Sequence, residues 1–379
     1  MKVLHVIDCM RIGGAQRRLF QLLKGMQGCE NVRNYLVFFS DQVDFAGLDK
    51  LKAEVIIVHS EKLISYETFK KFRKVVAEIN PDIVHSWQLI LSFYTTLLSF
   101  EFKFRHLNAM INESSQRGFF NKERLLAKII IPFANVVVSN SRAGLQAYKV
   151  KRKKNVFVVY NGFDFERINA KQDGGLASFF ESSCAECTVV GMVARFDNAK
   201  DYPTIIKAIC SLLEKERKIK FIAVGDGPTL EECKKMVPSK FQGYFYFAGK
   251  RDNVDAVIPL FDIGVLSTFT EGISNSIMEY MAFRKPVIVT DCPGNREIVI
   301  EKVTGLFAKS RDIEDWADKL SFLIENKDTQ LLYGMNGFAH LQDHFHLEKM
   351  TLQYRMLYSQ LARETIPVQT TPFIVHGKP

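Results

Sequence analysis

Two glutamates and the residues between them, Glu271-Gly-Ile-Ser-Asn-Ser-Ile-Met-Glu279, carry the clearest chemistry in this 379-residue chain. A carboxylate only accepts hydrogen bonds, so it can hold both hydroxyls of a vicinal diol. Eight residues apart on one helix, the two side chains would be rotated by about 80° and separated by about 12 Å along the axis, so they cannot share a face. The spacing therefore puts Glu271 in a loop and Glu279 in the first turns of a helix. Both then turn toward one pocket above the helix N-terminus, where free N–H groups suit a phosphate. The stretch follows a short apolar strand, Asp262-Ile-Gly-Val-Leu266, and such strand-to-helix junctions are where open α/β sheets bind ligands. A plainer reading of the same residues stays open: Ser276 and Glu279 fit a capping box, and Glu271 fits a solvated loop.

Elements able to position that pocket recur along the chain. Its length and 47% hydrophobic content suit two domains better than one core. Residues 1–8 read as an opening strand, and further strands are predicted at 35–40, 55–58, 83–85, 106–111 and 136–139, with helical patterns between them. That alternation predicts a doubly wound α/β unit. The first β-to-α turn holds Gly13-Gly14, which either lets backbone N–H groups approach a diphosphate or only packs helix on strand. The alternation restarts with a strand at 188–193, followed by Arg195 and Lys200. A guanidinium is bidentate to phosphate and an ammonium is a mobile point charge, although two such residues in a loop are ordinarily solvated. Gly225-Asp-Gly227-Pro228 lacks the third glycine of a dinucleotide fingerprint and reads as a tight turn lining the cleft, and Thr229-x-x-Glu232 predicts a capping box. Residues 345–361 have the pattern of a long amphipathic helix, 165–187 of a linker and 365–379 of a loose tail.

Charge is one-sided. Residues 1–170 carry 26 Lys and Arg against 15 Asp and Glu, the remainder 25 against 27. A positive first half suits nucleic acid, anionic lipid head groups or a phosphorylated acceptor, and no recognisable nucleic-acid module accompanies it. The run from Lys149 to Lys154 is by default a solvated loop and otherwise a membrane contact. Residues 119–130 set apolar side chains at helical spacing with Lys122, Arg124 and Lys128 between them, a helix that either packs into its own domain or lies on a membrane surface. No apolar run reaches the roughly 18 residues needed to cross a bilayer. The opening segment reads as a strand and not a signal peptide, and seven cysteines without a framework fit a reducing compartment, so the expectation is a cytoplasmic protein. No metal is expected: Cys184-x-x-Cys187 lacks a second pair at zinc spacing, and the chain has no Asp-x-Asp.

Thr270-Glu271-Gly272, Ser274-Asn275-Ser276, Glu279-Tyr-Met-Ala282, Lys285-Pro286-Val287 and Gly294-x-x-Glu297 together resemble the signature of retaining glycosyltransferases of family four. Asn161-Gly-Phe-Asp164 and the segment 245–254 are similar to that family too. The resemblance implies the GT-B fold, two Rossmann-like α/β domains facing across a cleft. Residues 1–165 would bind the acceptor, residues 166–344 the donor, and a helix over 345–363 would return to the first domain. The resemblance further implies that Glu271 faces the donor sugar, Glu279 holds the ribose hydroxyls, and Arg195 and Lys200 grip the diphosphate. Gly13, Gly14, Gly225, Gly272, Ile273, Ser274 and Asn275 would line the donor site, with Lys250 and Arg251 at the nucleobase. On the acceptor side it points to Gln16, standing where members carry an acidic residue, and to Arg17, His85 and Glu113. Many members place a histidine just after residue 111; this chain has Asn112-Glu113 there, which makes those two the candidates for activating the acceptor.

The expected chemistry is retaining and independent of metal or cofactor. Arg195, Lys200, the Gly13-Gly14 turn and the helix N-terminus near Ser274 and Asn275 would stabilise a departing diphosphate, while Glu271 positions the sugar. The donor is expected to be a nucleotide-sugar, UDP favoured, giving up a hexosyl or N-acetylhexosaminyl group. The acceptor is expected to be a glycan or lipid-linked molecule of bacterial surface polysaccharide or lipopolysaccharide synthesis. The protein would then work on the inner face of the cytoplasmic membrane, against an anionic surface. Two other classes fit the same architecture. A nucleotide-sugar epimerase would need no acceptor, and a non-catalytic basic scaffold would have no reason to keep Arg195, Lys200, Glu271 and Glu279 together.

Overall fold

The computed structural model describes residues 1–11, 13–44, 47–111, 122–150, 155–169, 186–251 and 253–363. Short runs rich in valine and isoleucine, apolar on both faces, become the strands of two parallel sheets, each covered by helices on both sides. In the first, β1 (Lys2–Val6), β2 (Arg33–Phe38), β3 (Ala53–Ile57), β4 (Ile83–Ser86), β5 (Arg105–Ile111), β6 (Val136–Ser139) and β7 (Val156–Val158) run in the order β3-β2-β1-β4-β5-β6-β7. The helices between them are α1 (Gly14–Gly25), α2 (Tyr66–Ile79), α3 (Leu89–Leu98), α4 (Lys122–Ile130) and α5 (Arg142–Ala147).

The second sheet contains β8 (Thr188–Val193), β9 (Ile219–Val224), β10 (Phe245–Gly249), β11 (Ile263–Leu266), β12 (Val287–Thr290) and β13 (Gly305–Ala308), in the order β10-β9-β8-β11-β12-β13. Its helices are α6 (Tyr202–Glu214), α7 (Leu230–Lys235), α8 (Asn275–Ala282), α9 (Ile313–Glu325) and α10 (Lys327–Phe345), and the final helix is α11 (Leu347–Arg363). In each sheet the winding reverses once, between β1 and β4 and between β8 and β11. The crevice beyond those strand ends is where such sheets bind ligands.

Three local expectations differ from the structure. Thr229 begins α7 but its side chain makes no cap bond. Ser276 does not cap α8 either; its hydroxyl donates to the Val193 carbonyl at 2.6 Å, tying the helix to the end of β8. The helix expected over 345–361 starts two residues later, as α11, because His346 is extended and separates it from α10. That break has a job. Beside it the outgoing chain meets the incoming one, with the Phe163 amide donating to the Phe345 carbonyl at 2.6 Å and the Leu347 amide donating to the Phe163 carbonyl at 2.9 Å. Beyond it α11 lays Met350, Tyr354, Leu357, Tyr358 and Leu361 into the core under α1 and β4 of the first sheet. Cys187 is disulfide-bonded, which differs from the expectation of cysteines kept in a reducing compartment.

Candidate active site

Lys200 and Glu271 come together where the second sheet changes direction. Lys200 lies in the loop after β8 and Glu271 in the loop after β11, and the two loops are zipped: the Asp201 amide donates to the Ser267 carbonyl at 3.0 Å and the Phe269 amide to the Ala199 carbonyl at 2.9 Å. This brings the Lys200 ammonium into an ion pair with Glu271 and within 3.3 Å of the Thr268 hydroxyl. Arg195, in the same loop, is 73% exposed, with Asp197 3.8 Å away. The loop is held from below by Gly225 and Gly227. Both have left-handed φ, and a Cβ on Gly225 would stand 2.0 Å from the Ala194 carbonyl oxygen. Gly225 therefore supports the Arg195 loop through close backbone approach.

The N-termini of α1 and α8 face one another across the cleft, so that a Cβ on Gly14 would come 3.9 Å from the Asn275 amide nitrogen. Asn161 fixes this junction, donating to the Asn275 side-chain oxygen and to the Ile273 carbonyl, each at 3.2 Å. Ser274 begins α8 without a side-chain cap, which leaves the first amides of the helix unclaimed by it. Deeper between the two helices the space closes to a cavity of about 10 Å³, a single water's worth.

Glu279 is buried, with its partners drawn from elsewhere in the chain. One oxygen accepts from Arg17 of α1 and, at 2.9 Å, from Arg167, which is itself held by both oxygens of Asp255 at 2.9 Å each. Although burial disfavours its charge, Glu279 and Asp255 push the Arg167 guanidinium up, and burial raises Asp255. On the other side of the Glu271 loop, Gly294 packs so closely that a Cβ would lie 2.3 Å from the Glu271 carbonyl oxygen. Beside it opens a cavity of about 480 Å³ lined by Arg142, Gln146, Asp291, Cys292, Arg296 and Glu297.

The acceptor-side residues separate. Gln16 folds back along Gly13 and donates to Asp8 at 3.2 Å, and Asp8 also accepts from the Cys9 amide at 2.6 Å. His85 does not face the cleft. It is fully buried beneath α11, hydrogen-bonded to the Tyr358 hydroxyl at 2.8 Å and stacked on Trp87 with 4.3 Å between ring centroids. Burial, with His5, Arg18 and His106 nearby, holds it neutral, well below the ordinary histidine range; burial takes His5 to about 4 and His106 to about 3. Lys250 reaches Asp44 of the first domain at 2.9 Å, and Arg251 turns onto the Ala248 carbonyl at 3.1 Å. Asn112 and Glu113 lie outside the described residues. Among the described residues no group of three or more His, Cys, Asp or Glu side chains is arranged to hold a metal ion.

Residues 187–326, the part of the chain that holds Lys200, Glu271 and Glu279, match the family described as Glycosyl transferases group 1. Across the whole fold, the chain superposes on HepE of Anabaena, solved with UDP and glucose, with a TM-score of 0.83 over 95% of this chain and 100% of that one at 20% identity. Residues 187–326 thus carry the group 1 glycosyltransferase match, and the chain as a whole has the GT-B fold. An uncharacterized glycosyltransferase of Methanocaldococcus jannaschii is 27% identical over 63% of this chain and 62% of its own length. The N,N'-diacetylbacillosaminyl-diphospho-undecaprenol alpha-1,3-N-acetylgalactosaminyltransferase of Campylobacter jejuni is 24% identical over 66% of this chain and 59% of its own. The match thus spans about three fifths of each of these relatives.

The candidate site includes residues that the sequence reading gave no role. Arg167 and Asp255 complete the Glu279 cluster, and no spacing rule joins positions 167, 255 and 279. Glu297 was visible in Gly294-x-x-Glu297, yet its partners lie in the other domain: it accepts from the Arg142 and Ala143 amides at 2.8 and 2.7 Å and from the Tyr160 hydroxyl at 3.1 Å. Asp8 carried a signal that could have been used, a carboxylate at the end of the first strand of an α/β sheet.

Proposed function

We propose that this chain is a group 1 glycosyltransferase that transfers a sugar from a nucleotide-sugar, UDP favoured, to a glycan or lipid-linked acceptor, with retention and without a metal. The bond from the anomeric carbon to the diphosphate breaks, a bond to the acceptor hydroxyl forms on the same face, and the hydroxyl proton passes to a donor phosphate oxygen. The observation that carries this reading is the Lys200–Glu271 pair at the crevice of the second sheet, beside the α8 N-terminus. An ammonium has three donors, so Lys200 can keep Glu271 and Thr268 and still meet a phosphate oxygen. The α8 amides and the exposed guanidinium of Arg195 add to the stabilisation of a departing diphosphate. Glu271 orients the sugar, Glu279 receives the ribose, and the opening lined by Arg142 and Arg296 admits the acceptor. UDP in HepE and a diphospho-undecaprenol acceptor in the name of the Campylobacter relative support the choice of partners. Work on such an acceptor belongs at the inner face of the bacterial membrane, in surface-glycan synthesis.

The test is thermal stability of the purified chain against UDP- and GDP-sugars with EDTA present, followed by the anomeric configuration of the product. A ligand at a hundred times its dissociation constant adds about 2.7 kcal/mol. A shift with UDP-sugars that survives EDTA and is lost in Glu279→Gln is the expected result. No shift with any nucleotide-sugar, or a shift that EDTA abolishes, would overturn the reading.

A further inference from the structure

Helix α4 is apolar on two sides, and its fold uses only one of them. Ala127, Ile130 and Ile131 are buried against Met110, Ile111 and Val137. Leu125, Ile129 and Phe133 follow one another at four-residue spacing along α4 and the turn after it, an exposed ridge about 12 Å long. The end of α3 extends it: Phe100 meets Phe133 edge to face with 5.6 Å between ring centroids, and Leu97 lies one turn back. These five side chains are between 41 and 71% exposed. A contiguous apolar patch on a water-facing edge is unusual for a soluble surface and marks a contact site.

The charges around the patch indicate what it contacts. Arg124 and Lys128 alternate with Leu125 and Ile129 along the helix, Lys103 follows Phe100, and exposed Lys149 lies just past α5, in the half of the chain with 26 basic against 15 acidic residues. The nearby Glu101 is taken by Arg73. Apolar side chains between cations suit the boundary of an anionic bilayer, where the rings and aliphatic chains enter the acyl region and the cations meet phosphate.

The position fits as well. Leu145 of α5 packs in the same cluster as Ala127 and Ile130 of α4, while Arg142, Ala143 and Gln146 of α5 line the opening beside the Glu271 loop. One short helix therefore separates the patch from the acceptor opening. We infer that the α3–α4 face docks the first domain on an anionic membrane and so presents that opening to a lipid-linked acceptor at the surface. This rests on the lipid-linked acceptor proposed above.

The experiment is co-sedimentation of the full chain with vesicles of phosphatidylglycerol and phosphatidylcholine, compared with phosphatidylcholine alone, for the natural protein and for the combined variant Leu125→Ser, Ile129→Ser, Phe133→Ser. The three residues are exposed, so the variant keeps its fold, and its UDP-sugar thermal shift is the check. Binding to anionic vesicles is expected, weakened at least tenfold in the variant and reduced by high salt. Equal binding by the variant, or no binding by the natural chain at low salt, would overturn the proposal. So would a mass in solution that halves in the variant, since that would make the face a dimer interface. Ridge-dependent vesicle binding without any nucleotide-sugar shift would leave the docking face standing and remove the transferase reading.

Discussion

Lys200 and Glu271 neutralise one another at the crevice, and Thr268 and the zipped loops fix how they meet. The arrangement gives each a separate test. Glu271→Gln keeps the size and one acceptor oxygen but removes the charge that holds Lys200 and that, in the proposed function, orients the sugar. Turnover should fall at least a hundredfold while donor affinity changes only a few-fold, as expected for a group acting chiefly in the transition state. Initial rates and calorimetric titration with the UDP-sugar measure the two parts, and near-full turnover would remove Glu271 from the chemistry. The sequence singled out both residues through the family resemblance around them, but it set Glu271 beside Glu279 and Lys200 beside Arg195, so their ion pair was not read from it. Nor was the burial of His85. It ends a strand, but α11 comes from 273 positions away to bury it, and no local pattern announces such a cover. Glu279 was half legible: its helix was foreseen, its arginine partners were not.

At the scale of elements, both sheets followed from apolar runs alternating with helical patterns, with some strand ends shifted by about two residues. Capping was less legible. Thr229-x-x-Glu232 and Ser276-x-x-Glu279 both have the right spacing, yet neither forms a box: the Ser276 hydroxyl is claimed by the Val193 carbonyl at the end of β8, and the Thr229 side chain makes no cap bond. The Gly225 turn shows a local choice reaching the site. Its φ of +146° and the 2.0 Å approach to the Ala194 carbonyl leave no room for a methyl group, so Gly225→Ala must shift the backbone that carries Arg195. It should cost about 2 kcal/mol of stability or more, and donor affinity should fall about tenfold. Urea midpoints and donor titrations report the two; unchanged affinity with lowered stability would show that the Arg195 loop does not hold the donor.

Across the whole molecule, the two domains meet through a few charged contacts. Arg17 joins α1 to Glu279 of α8, Lys250 joins the second sheet to Asp44, and Glu297 sits on the start of α5. Only the first of these sets a first-domain cation on a partner carboxylate; Lys250 reaches the other way, and Glu297 is met by backbone amides and a hydroxyl. Glu297 is the contact to test, because it satisfies two backbone amides and a tyrosine hydroxyl at once, and burial already pushes its carboxyl up. Removing it in Glu297→Ala leaves three donors in the interface without their acceptor, a loss on the order of 2 kcal/mol or more, while neither domain's apolar core is touched. The domains should therefore open without unfolding. The radius of gyration from solution scattering should rise, far-ultraviolet circular dichroism should stay as it was, and kcat/KM should fall tenfold or more because Glu271 and the acceptor opening no longer share one closed cleft. Gln at the same position keeps one oxygen for an amide and should restore part of both. If scattering and kcat/KM are unchanged in Glu297→Ala, closure is held by the Arg17–Glu279 and Lys250–Asp44 pairs instead, and Glu297 serves only to end its own turn.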